Sequence, residues 1–137
     1  MPPSLSLPAS PKVSRLGRAL AAAQATKETL SFLLLVLPLA LEEPLVLVSA
    51  LPGLVLYILH IYLARGRATR LLAVVVWVLT LADELWAVLL YHDLGAPLPA
   101  RRLHLSHCLG LGISLLALAE LGWRWPRRRP SVSAGRG

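Results

Sequence analysis

The chain has 137 residues, of which 56% are hydrophobic and only 15% are charged, and its mean hydropathy is +0.66. This length allows one domain, and such a composition is rare among soluble domains, so an integral membrane protein is predicted. The formal net charge is +7, but the basic residues stand in short clusters beside apolar runs, which favours lipid headgroups over nucleic acid as the anionic neighbour.

The N-terminal segment contains two kinds of sequence. Residues 1–13 are rich in Pro and Ser and are predicted to form a disordered tail. Ser14 is a candidate N-cap, and the Ala-rich segment after it has no acid before Glu28, which predicts a basic helix that runs to the membrane surface. An Arg-containing, Ser-rich, acid-free beginning also fits an organellar transit peptide. We expect the plasma membrane as the location. A transit peptide would instead direct the chain to an organellar membrane, which is the alternative.

The apolar residues at 30–64 form a run too long for one membrane crossing, which needs about 20 residues. Two acids and a proline at 42–44 predict a turn within this run. The first two spans are accordingly predicted at about 21–41 and 45–64.

The first of these spans has a short apolar core and includes a lysine. Lys27 is expected to snorkel toward the interface and to pair with Glu28 or a lipid phosphate. A half-membrane hairpin or an interfacial helix is the alternative for this region.

The second half of the chain predicts two further spans, at about 71–91 and 103–123. An Arg-rich turn at 65–70 precedes the first of them, and a loop with Gly and Pro at 92–99 separates the two. The last span ends in a Trp-containing interfacial belt, and the basic residues 126–137 are predicted to be a disordered tail.

The predicted fold class is all-α, an integral membrane bundle of four transmembrane helices over residues 14–125. All basic residues except Arg101 and Arg102 lie in the N-terminal segment, the 65–70 turn and the C-terminal tail. Four spans place those three segments on the same side of the membrane. The positive-inside rule then predicts that both termini are cytoplasmic.

The span at 71–91 is apolar except for Asp83 and Glu84, and Thr80 one turn before them. Its seven Leu and five Val favour insertion by about 5 kcal/mol, whereas two ionised acids near the centre cost about 5 to 7 kcal/mol. We therefore expect at least one acid to be protonated, paired or turned toward a polar bundle interior.

Polar and small residues recur at helical spacing on the neighbouring spans and are the predicted surroundings of these acids. The candidate ligand- or cation-binding residues are Glu84, Asp83, Thr80, Tyr57, Ser49 and Ser114, with His60, Gly53, Gly110 and His107 along the same stripes. Adjacent acids on a helix point in different directions, so one of them is expected to be the primary site. Glu84 is favoured because its helix face carries the longer polar stripe.

Two functional hypotheses follow from the acids. The leading one is a small polytopic membrane protein whose Asp83 and Glu84 bind a partner helix, a lipophilic ligand such as an amine, or a coupling cation. Four short helices enclose little interior, so we expect a homo-oligomer or a larger complex in the lipid bilayer. The alternative is a membrane-embedded enzyme that uses Glu84 or Asp83 as general acid or base on an isoprenoid, sterol or other lipid, with His60 or Tyr57 assisting.

A third interpretation is structural: the acids lock the bundle by hydrogen bonds to polar side chains of other helices. We weigh it about equally with a binding or chemical role, because assembly is itself a common function of small membrane proteins.

A second, weaker candidate site lies at the predicted outer end, where His104, His107, His92 and Asp93 are close in sequence. Their spacing matches no specific metal motif, and interfacial side chains explain it more simply, so no metal is predicted. No cofactor is expected either, since a haem on His60 needs a second axial ligand at similar depth.

Overall fold

The computed structural model describes residues 12–92 and 98–125. Of these residues 88% are helical, and none lies in a strand. The helical elements in chain order are α1 (Arg15–Ser31), a π-helical turn (Phe32–Val36), α2 (Leu37–Glu42), α3 (Leu45–Ser49), α4 (Leu51–Ala64), α5 (Arg70–His92) and α6 (Leu98–Trp123). The predicted all-α class is therefore confirmed for the described residues. Residues 1–11 of the predicted N-terminal tail and the whole predicted tail at 126–137 lie outside them.

The first helix is continuous from Arg15 to Glu42, which at 28 residues is about 42 Å long. Ser14 caps it as predicted, since its hydroxyl accepts the Gly17 N–H at 2.9 Å. The predicted basic helix and the first predicted span, at about 21–41, lie within this one helix and join without a break. The π-helical turn precedes Pro38, whose ring cannot donate to Leu34 and clashes with its carbonyl, so the backbone widens there.

The predicted turn at 42–44 is confirmed, because α2 ends at Glu42 and Glu43 is extended. The predicted span 45–64 is helical except at Ala50, where α3 gives way to α4. Pro52 explains this break, since it has no N–H to donate to Val48. Three helices are long and apolar enough to cross a membrane, Arg15–Glu42, Arg70–Leu90 and Arg101–Trp123, whereas Leu51–Ala64 is a shorter apolar helix.

The turn between α4 and α5 is confirmed at the predicted position. Gly66 adopts φ 69°, a left-handed conformation that glycine accommodates without strain. The last helix begins at Leu98, five residues before the predicted start at 103, so Arg101 and Arg102 belong to the helix. Residues 93–97 of the predicted loop lie outside the described part of the chain.

One end of the bundle, called here the basic end, brings together the start of α1, the 65–70 turn and the end of α6. Three contacts define it: a backbone bridge between Lys12 and Thr69, a hydrogen bond of 2.6 Å from Ser14 to Glu120, and one of 3.0 Å from Arg70 to the Arg124 carbonyl. The helices therefore run alternately away from and toward this end, and α6 packs against both α1 and α5.

The apolar core occupies the half of the bundle near the basic end. It is built largely from small or compact side chains, which allow close helix approach: Val13, Ala21, Leu63, Ala68, Ala73, Val76, Trp77, Ala117 and Leu121. Val13, which the sequence prediction places in the tail, is therefore part of the core. The other half of the bundle contains a partly open cavity instead, and a layer of polar side chains separates the two halves.

Candidate functional site: a buried charged cluster beneath a cavity

Glu84 on α5 lies at the centre of the polar layer and is 1% exposed. Its Oε1 pairs with Lys27 Nζ and accepts a hydrogen bond of 2.7 Å from Gln24 Nε2. Its Oε2 lies 2.6 Å from Nδ1 of His107. Both carboxylate oxygens thus bond within the chain, one to the first helix and one to α6.

The helical repeat of the first helix explains how its polar side chains reach Glu84. Gln24, Lys27, Glu28 and Ser31 recur at intervals of three, one and three, so they lie along one face. Lys27 also pairs with Glu28 at 2.8 Å, and Gln24 Nε2 donates to the same Glu28 oxygen at 3.0 Å. The expected pairing of Lys27 with Glu28 is therefore confirmed, whereas its snorkelling toward lipid is wrong, because the side chain is buried and points inward.

Gly110 on α6 makes this close approach possible. A Cβ at this position would overlap the Glu84 carboxylate and would lie 2.6 Å from Lys27 Nζ. Any side chain here would therefore displace the ion pair. His107 lies three residues earlier on the same face of α6, which directs its ring to the other oxygen of Glu84.

Asp83 behaves differently from its neighbour. It is half-buried and lines the cavity, and within the described residues it makes no hydrogen bond or ion pair. It is close enough to Glu84, His107 and Lys27 to interact with their charges. We call Lys27, Glu28, Asp83, Glu84 and His107 the charged cluster.

The cavity has a volume of about 800 Å³ and lies between the first helix, α3, α4, α5 and α6. Four members of the charged cluster (Lys27, Glu28, Asp83 and His107) form its floor, while its walls are mostly apolar and include Phe32, Val36, Leu54, Trp86, Leu90 and Leu103. Ser31 and Ser106 hydrogen-bond across one wall, and Thr29 donates to the Tyr57 hydroxyl at 3.4 Å on another. Glu42 and Glu43 lie at the far end from the floor.

The predicted polar surroundings of Glu84 are only partly correct. Thr80 and Ser114 are buried, but their hydroxyls donate to backbone carbonyls one turn earlier, Val76 at 2.8 Å and Gly110 at 2.8 Å. Tyr57 and Ser49 line the cavity, and Ser49 donates to the Val46 carbonyl. None of these four is a hydrogen-bond partner of Glu84 among the described residues.

His60 forms a separate polar pair beneath the cluster. Its Nε2 lies 3.3 Å from the Thr80 hydroxyl, and its ring packs against Trp77 with centroids 4.7 Å apart. Neither His60 nor Trp77 is among the residues that line the cavity. The position of His60 away from the cavity therefore does not support its predicted role as an assisting acid or base.

The candidate outer histidine site is divided between two environments. His107 turns inward to Glu84, while His104 Nε2 lies 3.6 Å from Cys108 Sγ. Asp93 and the side chain of His92 lie outside the described residues. Within those residues no group of three His, Cys, Asp or Glu side chains is arranged to hold a metal ion.

Sequence reasoning missed Gln24 altogether and placed Lys27 at the wrong depth. The signal was present, because a lysine within an apolar helix carries the same insertion cost that drew attention to Glu84. Applying that cost to both residues predicts that they pair. The short apolar core assigned to the first span concealed this, since it placed Lys27 near the interface.

No protein-family model matches this chain, and no curated protein and no solved structure is detectably similar to it. The site must therefore be interpreted from its own chemistry.

The contact at Gly110 gives a first prediction. Gly110→Ala should lower the thermal unfolding midpoint in detergent, because the new methyl group overlaps the Glu84 carboxylate. Gly112→Ala is the matched control, since no atom lies within 4 Å of the position that its Cβ would occupy and alanine favours a helix by about 1 kcal/mol. Equal midpoints for the two variants would contradict the close approach described here.

The Lys27–Glu84 pair gives a second prediction. Lys27→Met leaves a buried carboxylate without its ammonium and should cost on the order of 3 to 5 kcal/mol of unfolding free energy. Adding Glu84→Gln to that variant should restore much of the loss, because the charge left uncompensated is removed. Reversible unfolding in mixed micelles measures this cycle. Strict additivity of the two substitutions would show that the residues are not coupled.

Proposed function

We propose that this chain is a small polytopic membrane protein that binds one lipophilic ligand in the cavity, with the charged cluster as the polar floor of the site. The observation that carries this proposal is the cavity itself, at about 800 Å³. Pockets that bury drug-sized ligands have volumes of about 300 to 1,000 Å³, are mostly apolar and present a few convergent polar groups.

The bonding of Glu84 supports a ligand rather than a partner helix as the occupant. Both its oxygens are bonded within the chain and the side chain is sealed from the surface, so a helix docking from outside has no access to it. The cavity is formed within a single chain, and ligand binding as proposed needs no second copy. Assembly into an oligomer or larger complex stays a prediction.

We further propose that the chain crosses the membrane four times and that the basic end of the bundle, with both termini, lies in the cytoplasm. Three helices have membrane length, and α3 with α4 supplies an interrupted fourth from Leu45 to Ala64. The grouping of Arg residues at the basic end supports a cytoplasmic location for that end under the positive-inside rule.

Native mass spectrometry of the purified protein tests ligand binding. We expect the wild-type chain to carry a bound lipophile, and Gly53→Phe to lose it, because Gly53 lines the cavity and no atom lies within 4 Å of its Cβ position. Gly122→Phe is the control, since it is equally uncrowded but lies outside the cavity. A wild-type protein that carries no lipophile and takes up no dodecanol would overturn the proposal.

A second candidate function, a lipid-modifying enzyme, is favoured by one observation. His107 lines the cavity while its Nδ1 contacts Glu84, the arrangement in which a carboxylate orients a histidine for general acid or base catalysis. Comparing the ligands extracted from the wild-type protein and from His107→Gln separates the two functions. Identical ligand masses indicate a binding protein, and a different, unconverted species in the variant indicates an enzyme.

Topology can be tested by cysteine labelling in the Cys108→Ser background, which has no other cysteine. We expect a membrane-impermeant maleimide to label E43C in intact cells and to label R67C only after permeabilisation, because α3 and α4 separate these positions. Labelling of both or of neither in intact cells would show that this segment does not cross. The reverse pattern would invert the proposed orientation.

A further inference from the structure

The charges around the cavity are unbalanced. Among the described residues that line it, the acids are Glu28, Asp83, Glu42 and Glu43, whereas Lys27 is the sole lysine or arginine and His107 the sole histidine. Glu84, directly behind the floor, adds another carboxylate and already engages both of these bases. When these acids are ionised, negative charge therefore exceeds positive charge, whether or not His107 is protonated.

The individual contacts show which acid of the cavity floor is left without a partner. Glu84 holds Lys27 and His107, and Glu28 holds Lys27 and Gln24. Asp83 makes neither an ion pair nor a hydrogen bond within the described residues, and it is on the floor of the cavity. Charge placed in an apolar membrane interior is costly unless it is neutralised, so a group that brings a positive charge to Asp83 is stabilised there.

We propose that the cavity binds a lipophilic amine, with the protonated nitrogen on the Asp83 carboxylate and the apolar part against the cavity walls. This inference rests on the proposed ligand-binding function and names its ligand class. It also moves the ligand contact from Glu84 to Asp83, since Glu84 holds the helices together.

The walls and the size of the cavity define the ligand further. Trp86 lies on the same helix three residues after Asp83, lines the same cavity and is exposed, so its indole can be reached by an ammonium held at Asp83. A phosphate-bearing headgroup is disfavoured, because its negative charge would face the acids of the floor. The ligand class is therefore an amine without phosphate, on an apolar body that fits about 800 Å³.

Three probes with the same alkyl chain test this inference on the full chain in neutral detergent: dodecylamine, dodecanol and dodecanoate. Binding is measured by native mass spectrometry and by the change in tryptophan fluorescence. The Trp86→Phe variant shows how much of that change comes from Trp86. We expect dodecylamine to bind roughly ten- to a hundredfold more tightly than dodecanol, the gain typical of a charge-assisted hydrogen bond. Dodecanoate should bind most weakly.

Two variants localise the preference. Asp83→Asn should bind the amine and the alcohol equally, and its retained dodecanol binding shows that it is folded. Glu43→Gln removes an exposed acid at the far end of the same cavity and should keep the preference. An amine preference that persists in Asp83→Asn would overturn the assignment to Asp83.

The other outcomes distinguish a failure of the amine assignment from a failure of the proposed lipophile binding. Equal binding of amine and alcohol to the wild-type protein overturns the amine class and leaves lipophile binding intact. Tighter binding of dodecanoate than of dodecylamine also overturns the amine class and leaves lipophile binding intact. It would show that Lys27 and His107 bind an anionic headgroup at the cavity floor. Tighter binding of a phosphatidylethanolamine than of dodecylamine overturns the phosphate-free class. Binding of no probe overturns the proposed function itself.

Discussion

A carboxylate sealed inside an apolar helix bundle constrains this structure more than any other group. Removing Glu84 from water has a large free-energy cost, which is offset only when charged and polar partners reach it with good geometry. Lys27 and Gln24 supply these partners from the first helix, and His107 supplies one from α6. One side chain on α5 therefore contacts two other helices and constrains their positions along the bundle axis. Gly110 leaves the space that the Glu84 carboxylate occupies.

The polar layer around Glu84 also explains why the two halves of the bundle differ. Toward the basic end, alanines let the helices approach and the interior is filled. On the other side, two backbone irregularities border the cavity, the π-helical turn before Pro38 and the break at Ala50 before Pro52. Both prolines disturb the regular hydrogen bonding of the helices that carry them. The walls of the cavity therefore include helix segments that depart from regular α-helical geometry.

Local backbone chemistry made much of the fold predictable. Acids before Pro44 and the glycine in the Arg-rich turn determine where helices end, and these boundaries agree with the structure. The first helix begins at the predicted Ser14 cap, and the predicted span at about 21–41 lies inside this longer helix. The surroundings of Glu84 were predictable only in part, since His107 from a predicted polar stripe contacts it, whereas Thr80 and Ser114 do not hydrogen-bond to it. Contacts depend on helix rotation, which spacing alone does not determine, and Thr80 and Ser114 satisfy their hydroxyls on their own helices.

The adjacent acids of α5 have different surroundings, since Glu84 pairs with other helices and Asp83 lines the cavity. Successive side chains on a helix are about 100° apart, so Glu84 faces the first helix and α6 while Asp83 faces the cavity. Cohesion of the bundle accounts for Glu84 and its partners, and it requires nothing of Asp83. A second carboxylate in this apolar interior has a desolvation cost, and it adds no hydrogen bond or ion pair within the described residues. Its position is explained when the compensating positive charge is brought by the molecule that enters the cavity.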